Sequence, residues 1–82
     1  MTELLVADKT FELVLNEHAE KKQKELEIDT TSILALIERN PEAVLESTDD
    51  EPVMISGDIS VVFYKQQQQV VVSNLFGTGQ VL

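Results

Sequence analysis

The sequence predicts an α+β fold in which two or three N-terminal helices pack on a small antiparallel three-stranded C-terminal sheet. The first observation is the distribution of charge: residues 1–51 hold fourteen acidic and five basic side chains, whereas residues 52–82 hold one of each. The second is the hydrophobic periodicity, because apolar residues recur at helical spacing in the first segment and alternate in the second. The net charge of −9 therefore belongs to a helical half, and a neutral half forms the sheet.

We expect a single domain over residues 1–82, because a chain of this length buries a little over about 60% of its unfolded surface, enough for one modest core. Residues 1–47 form the acidic helical half and residues 48–52 a polar linker. Residues 53–82 form the neutral β half with a C-terminal tail.

The first helix is expected to begin at Phe11, with Thr10 or Asp8 as its N-cap, because these side chains can accept a hydrogen bond from the first helical turn. At 100° per residue an apolar stripe runs along this segment. It comprises Phe11, Val14, Leu15, His18, Ala19 and Leu26.

An alternative interpretation of the same segment is a pair of short strands. Leu4–Val6 and Phe11–Leu15 would then flank a turn at residues 7–9, because Phe11-Glu12-Leu13 begins to alternate. The helix is the leading interpretation, and the strand pair remains open.

The second helix has clearer boundaries. Residues 29–32 offer several N-caps in a row before the apolar run Ile33–Ile37. Asn40 ends this helix, because the residue before a proline is pushed out of the α region. Asn40 can also cap a further helical turn over residues 41–46, with Pro41 at its first position.

Three strands are predicted in the neutral half. Val53–Ile55 and Ile59–Tyr64 form a hairpin around Gly57-Asp58, which suits a tight turn. Val70–Val72 forms the third strand. The turn between the last two strands is poorly signalled, because residues 65–69 contain no glycine, proline or asparagine.

Composition excludes several classes of function. The absence of cysteine removes disulfides, thiol catalysis and iron–sulfur ligation, so a cytoplasmic location is expected. The acidic balance argues against direct nucleic-acid binding. No apolar run approaches the roughly 20 residues that a membrane span needs, and the N-terminal segment lacks the pattern of a signal peptide, so no membrane association is expected.

No catalytic, cofactor-binding or metal-binding residue is predicted. His18 is the single histidine, and its neighbours Glu17 and Glu20 diverge from it on a helix, so they do not form a ligand set. Residues 77–79 are at best half of a phosphate-binding fingerprint. Residues 49–51 lack the spacing of a calcium loop.

The leading functional hypothesis is a small acidic, non-catalytic binding protein, an adaptor, regulator or inhibitor that engages a basic protein partner. The composition is similar in kind to that of small acidic proteins of phages and mobile elements, which imitate nucleic-acid charge. The acidic residues expected to bind the partner are Glu12, Glu17, Glu20, Glu27, Asp49, Asp50 and Glu51.

Self-association is a further expectation, because Lys65 and Pro52 are nearly the whole protection that the β half offers its strand edges. We expect a homo-oligomer, in the first instance a dimer. Alternative functions are a structural, assembly or chaperone subunit that acts through the neutral β half and, with less support, a small enzyme subunit. The expected oligomer contacts are Val70, Val71, Val72, Leu75 and Phe76.

Overall fold

The computed structural model describes residues 2–48 and 50–77, and in that part of the chain one five-stranded sheet carries three helices on one of its faces. In chain order the elements are β1 (Thr2–Val6), β2 (Lys9–Leu15), α1 (Glu17–Leu26), α2 (Thr30–Glu38), α3 (Pro41–Glu46), β3 (Val53–Ser56), β4 (Ser60–Gln66) and β5 (Gln69–Phe76).

The strand order β1-β2-β5-β4-β3 corrects the predicted architecture. The expected sheet was antiparallel and three-stranded with all helices before it, whereas the described sheet has five strands and the helices lie between β2 and β3. Its neighbours are antiparallel except for β2 and β5, which are parallel. The last described strand is thus inserted between the first hairpin and the β3–β4 hairpin.

The predicted helix from Phe11 is wrong, and the alternative pair of strands is confirmed. β1 and β2 form a hairpin whose two-residue turn, Ala7-Asp8, has φ angles of 48° and 67°. A type I′ turn requires positive φ at both central residues, and this turn suits the twist of paired strands. The strands alternate, so Phe11 and Leu13 point to the core while Val14 points away.

The helix α1 begins six residues later than expected. The Asn16 side chain caps it by accepting a hydrogen bond from the Ala19 backbone N–H at 2.8 Å. The helix ends at Glu27, which is left-handed with φ 54°, and the Ile28 N–H returns to the Gln23 carbonyl at 3.0 Å. The fully buried Ala19 lets α1 lie close to the sheet, where it packs chiefly on β5.

The predicted second and third helical segments are confirmed as α2 and α3, with Pro41 at the start of α3. Asn40 separates them, but its side chain faces back along the chain. Its Nδ2 donates to the Leu36 carbonyl at 2.8 Å, which satisfies an acceptor at the end of α2.

The predicted β3–β4 hairpin is present with a three-residue loop, residues 57–59, rather than a tight turn. A Cβ on Gly57 would lie 2.9 Å from Leu36 Cδ1, so a side chain here would push against α2. Gln67-Gln68 makes the β4–β5 turn that the sequence signalled poorly, with Gln67 left-handed at φ 56°. Ser73 is a bulge in β5, because Val62 pairs with Asn74 and Phe63 with Val72.

One hydrophobic core lies between the helices and the sheet. The apolar periodicity of the sequence predicts Ile33, Leu36, Ile37, Val61 and Phe63 in this core. Leu36 is partly buried and packs against the core, and the other four are fully buried.

The edge of β1 is guarded by a side chain of α2. The Leu5 N–H points away from β2 and donates to Glu38 Oε2 at 3.1 Å. Exposed edge N–H groups are templates for pairing with another chain, and inward-directed charge is one way to block them. Glu38 therefore protects this edge, which has no lysine or proline of its own, from pairing with another chain.

The core assignment predicts that Ile37→Ala lowers the free energy of unfolding by about 2–5 kcal/mol, because it leaves a cavity at a fully buried site. Leu45→Ala is the control, since Leu45 is 44% exposed and its truncation should cost less than about 1 kcal/mol. Urea denaturation followed by circular dichroism measures both. Equal losses in the two variants would contradict this core.

The edge contact predicts that Glu38→Ala speeds hydrogen exchange of the Leu5 amide about two- to tenfold, because an exposed hydrogen bond contributes about 0.5–1.5 kcal/mol. Glu38→Gln keeps a carbonyl oxygen at the same place and should retain most of the protection. Amide exchange measured by NMR compares the two variants. Unchanged exchange in Glu38→Ala would show that Glu38 does not hold this edge.

Candidate functional site

The sheet has a second apolar surface on the side away from the helices. Because side chains alternate along each strand, the residues of the core and those of this surface are interleaved. We call this surface the outer sheet face. None of its apolar side chains belongs to the core cluster, and it comprises Leu5, Val14, Met54, Val62, Tyr64, Val71 and Phe76.

The centre of the outer sheet face is a row of three directly opposed residues on β2, β5 and β4: Val14, Val71 and Tyr64. Val71, in the middle of this row, is 7% exposed. Leu5 and Met54, on the two outermost strands, are 58% and 55% exposed. Apolar side chains are therefore most accessible at the two ends of this face.

The structure divides the expected oligomer contacts between the two sides of the sheet. Val70, Val72 and Leu75 are fully buried against the helices, so their side chains are unavailable to another chain. Val71 and Phe76 lie on the outer sheet face. Successive side chains along a strand point to opposite faces of the sheet, so neighbouring valines of β5 lie on different sides. A run of consecutive valines gives no sign of this alternation in the sequence.

The expected acidic residues do not share a surface. Glu17 and Glu20 are exposed in the first turn of α1, and Glu27 follows that helix. Glu12 lies instead on β2, where its Oε1 accepts a hydrogen bond from Gln69 Nε2 at 3.1 Å. Asp49 lies outside the described residues.

The exposed surface of α1 is balanced in charge. Glu17–Leu26 holds three glutamates and three lysines, so the helix has no net charge. A basic partner would meet as many cations as carboxylates there. The helix that the sequence suggested as the acidic contact is therefore a poor electrostatic match for such a partner.

The excess of negative charge is concentrated elsewhere, in residues 38–51, which hold six acidic side chains and one basic side chain for a net charge of 1 − 6 = −5. We call its exposed described carboxylates the acidic surface: Glu38, Glu42, Glu46, Asp50 and Glu51. Sequence reasoning gave Asp50 and Glu51 but missed the three glutamates. Counting charge element by element would have found them.

A shallow depression of about 440 Å³ lies within the acidic surface. Glu42 and Glu46 are one turn apart on α3 and line it together with Arg39 and the Asn40-Pro41 corner. The depression is large enough for one long side chain and open enough for a side chain of another protein to enter.

A second open cleft, of about 750 Å³, lies between the α1–α2 loop, α2 and the β3–β4 loop. Its lining mixes apolar side chains such as Leu26 and Ile59 with the charged Asp29 and Arg39. In the part of the chain that the structure describes, no three histidine, aspartate or glutamate side chains gather to form a metal site. His18 is exposed on α1.

None of the described helices has the length and apolar character that crossing a membrane requires. The chain matches no protein-family model, no curated protein and no solved structure.

Proposed function

We propose that this chain is a small acidic, non-catalytic binding protein, an adaptor, regulator or inhibitor, that engages a basic protein partner through the acidic surface. The observation that carries the proposal is the concentration of a net charge of −5 in residues 38–51 while α1 is balanced. A local excess of one sign steers an oppositely charged partner and sets its orientation.

The depression on α3 gives this surface a specific contact. A lysine or arginine of the partner can place its aliphatic stem against Pro41 and Ala43 while its cationic end meets Glu42 and Glu46, which outnumber Arg39, the cation that lines the depression. Both carboxylates are exposed, so they need no reorganisation of the fold to bind. Asp50 and Glu51 extend the charge into the loop that follows α3.

A second candidate function is a structural or assembly subunit. It is favoured by the outer sheet face, whose apolar side chains are separate from the core and leave Leu5 and Met54 more than half exposed.

The proposal predicts that the double variant Glu42→Lys/Glu46→Lys binds an arginine-rich decapeptide about five- to tenfold more weakly than the unmodified chain, because each exposed pair contributes up to about 1 kcal/mol. Its melting temperature should be nearly unchanged. Fluorescence anisotropy at low and physiological salt measures the binding, and the salt dependence should become shallower.

The matched control is Glu17→Lys/Glu20→Lys, which changes the net charge by the same amount on α1. This control should weaken binding much less. If both double variants lose affinity equally, only net charge matters, and the acidic surface is not the binding site.

A further inference from the structure

We propose that two copies of this chain associate through their outer sheet faces, with Leu5 of one copy covering Met54 of the other. This inference concerns the side of the sheet away from the helices. It therefore stands or falls independently of the acidic surface.

The positions of the two most exposed apolar side chains of this face allow two copies to pair about a two-fold axis. Leu5 pairs with Thr10, four residues before Val14, which is level with Val71 on the central strand. Met54 pairs with Val62, two residues from Tyr64, which is also level with Val71.

Leu5 and Met54 therefore lie two strands from β5 on opposite sides, one before and one beyond Val71. Their midpoint falls on β5 close to Val71. Consider a two-fold axis through that point that lies in the interface and is perpendicular to the line joining Leu5 and Met54. This axis places Leu5 of each copy over Met54 of the other copy. The same rotation brings the row of Val14, Val71 and Tyr64 in one copy against the same row in the other.

Charge selects this arrangement among two-fold pairs. Glu3 and Glu12 are directly opposite each other at the β1–β2 end, and they are the charged side chains that the described strands place on this face. A dimer in which β1 of one copy lies on β1 of the other would bring together four carboxylates, those of Glu3 and Glu12 in both copies. A dimer in which β1 of one copy lies on β3 of the other places these carboxylates over the β3–β4 end of the face instead, where the strands carry no charge.

Charge limits where two copies of this chain can approach each other. Each chain carries a net charge of −9, so two copies repel each other over most of their surfaces. The described strands place no charged side chain at the centre or at the β3–β4 end of the outer sheet face. Two copies can approach there with the least repulsion and the most apolar contact.

The area of the face meets what a modest dimer needs. Five strands about 4.8 Å apart, with central strands of seven and eight residues rising about 3.3 Å each, give a face of about 500 Å² once the shorter outer strands are included. That is about a tenth of the chain's 5372 Å² surface. Two such faces bury about 1,000 Å², the lower limit for a specific interface.

Light scattering tests the association. At about 200 μM the chain should have twice its 9.2 kDa mass, and it should dissociate at low micromolar concentration, because an interface of this size is weak. Val62→Glu should raise the dissociation constant at least about tenfold, since it places a carboxylate at the uncharged end of the face, which meets Glu3 and Glu12 of the other copy. Leu45→Glu adds the same charge on α3 and should leave the dimer intact.

Cross-linking tests the arrangement and does not depend on the folding of Val62→Glu. The chain has no cysteine, so Leu5→Cys and Met54→Cys each introduce a single thiol at an exposed site. With a short bismaleimide, a mixture of the two variants should give a covalent dimer, and each variant alone should not. A mixture of Leu5→Cys with Leu45→Cys is the negative control.

Three results would overturn the proposal. The unmodified chain could remain a monomer up to about 1 mM, well above the range expected for an interface of this area. Leu45→Glu could dissociate the dimer as strongly as Val62→Glu does. Met54→Cys could cross-link to itself and not to Leu5→Cys, which would place β3 on β3.

Discussion

The structure depends on the insertion of β5 between β2 and β4. Its valines face both sides of the sheet: Val70 and Val72 complete the core beneath the helices, and Val71 forms the centre of the outer sheet face. The parallel pairing of β2 with β5 joins the N-terminal hairpin to the β3–β4 hairpin. The helices connect the interior strand β2 to the edge strand β3, and they cover one face of the sheet.

The sequence predicted the elements whose signals are local. The run Ile33–Ile37, the Asn40-Pro41 break and the short helix after it depend on apolar spacing and on proline stereochemistry, and the structure has all three. The sequence pattern indicates a helix more strongly than it indicates the first hairpin. Its Ala7-Asp8 turn lacks the asparagine and glycine that usually mark such turns, and Phe11, Val14 and Leu15 also fit a helical stripe.

The remaining features could not be predicted because they depend on distant residues. Nothing near Leu13 or Val70 indicates that they are neighbours, since 57 positions separate them along the chain. Without that pairing, no residue of β5 can be assigned to a face. The candidate surfaces differ in the same way. The charge balance of α1 can be counted from the sequence, whereas the face of the sheet on which each valine of residues 70–72 lies depends on pairing with distant residues.

The two proposed surfaces differ in the interaction they offer and in their place in the fold. The acidic surface offers charge and lies on the helical side, and the outer sheet face offers apolar side chains on the opposite side of the sheet. The acidic surface belongs to α2, α3 and the following loop, where exposed carboxylates act over a distance that salt shortens. The proposed contact through the outer sheet face is apolar, and salt should not weaken it, because salt screens the repulsion between two copies. A dimer formed through the sheet leaves both helical layers exposed, so a partner with two basic sites could be held by both copies at once, with the gain in avidity that bivalence brings.

The left-handed turn residues bear on how this sequence can change over evolutionary time. Among the described residues, Ala7, Asp8, Glu27 and Gln67 have positive φ without being glycine, a conformation that costs an L-residue about 1–2 kcal/mol. Glycine or asparagine at these turns would remove much of that strain. The chain thus has stabilising substitutions available at sites remote from the core, and these can offset destabilising changes elsewhere. Its surfaces can therefore diverge toward new partners without loss of the fold.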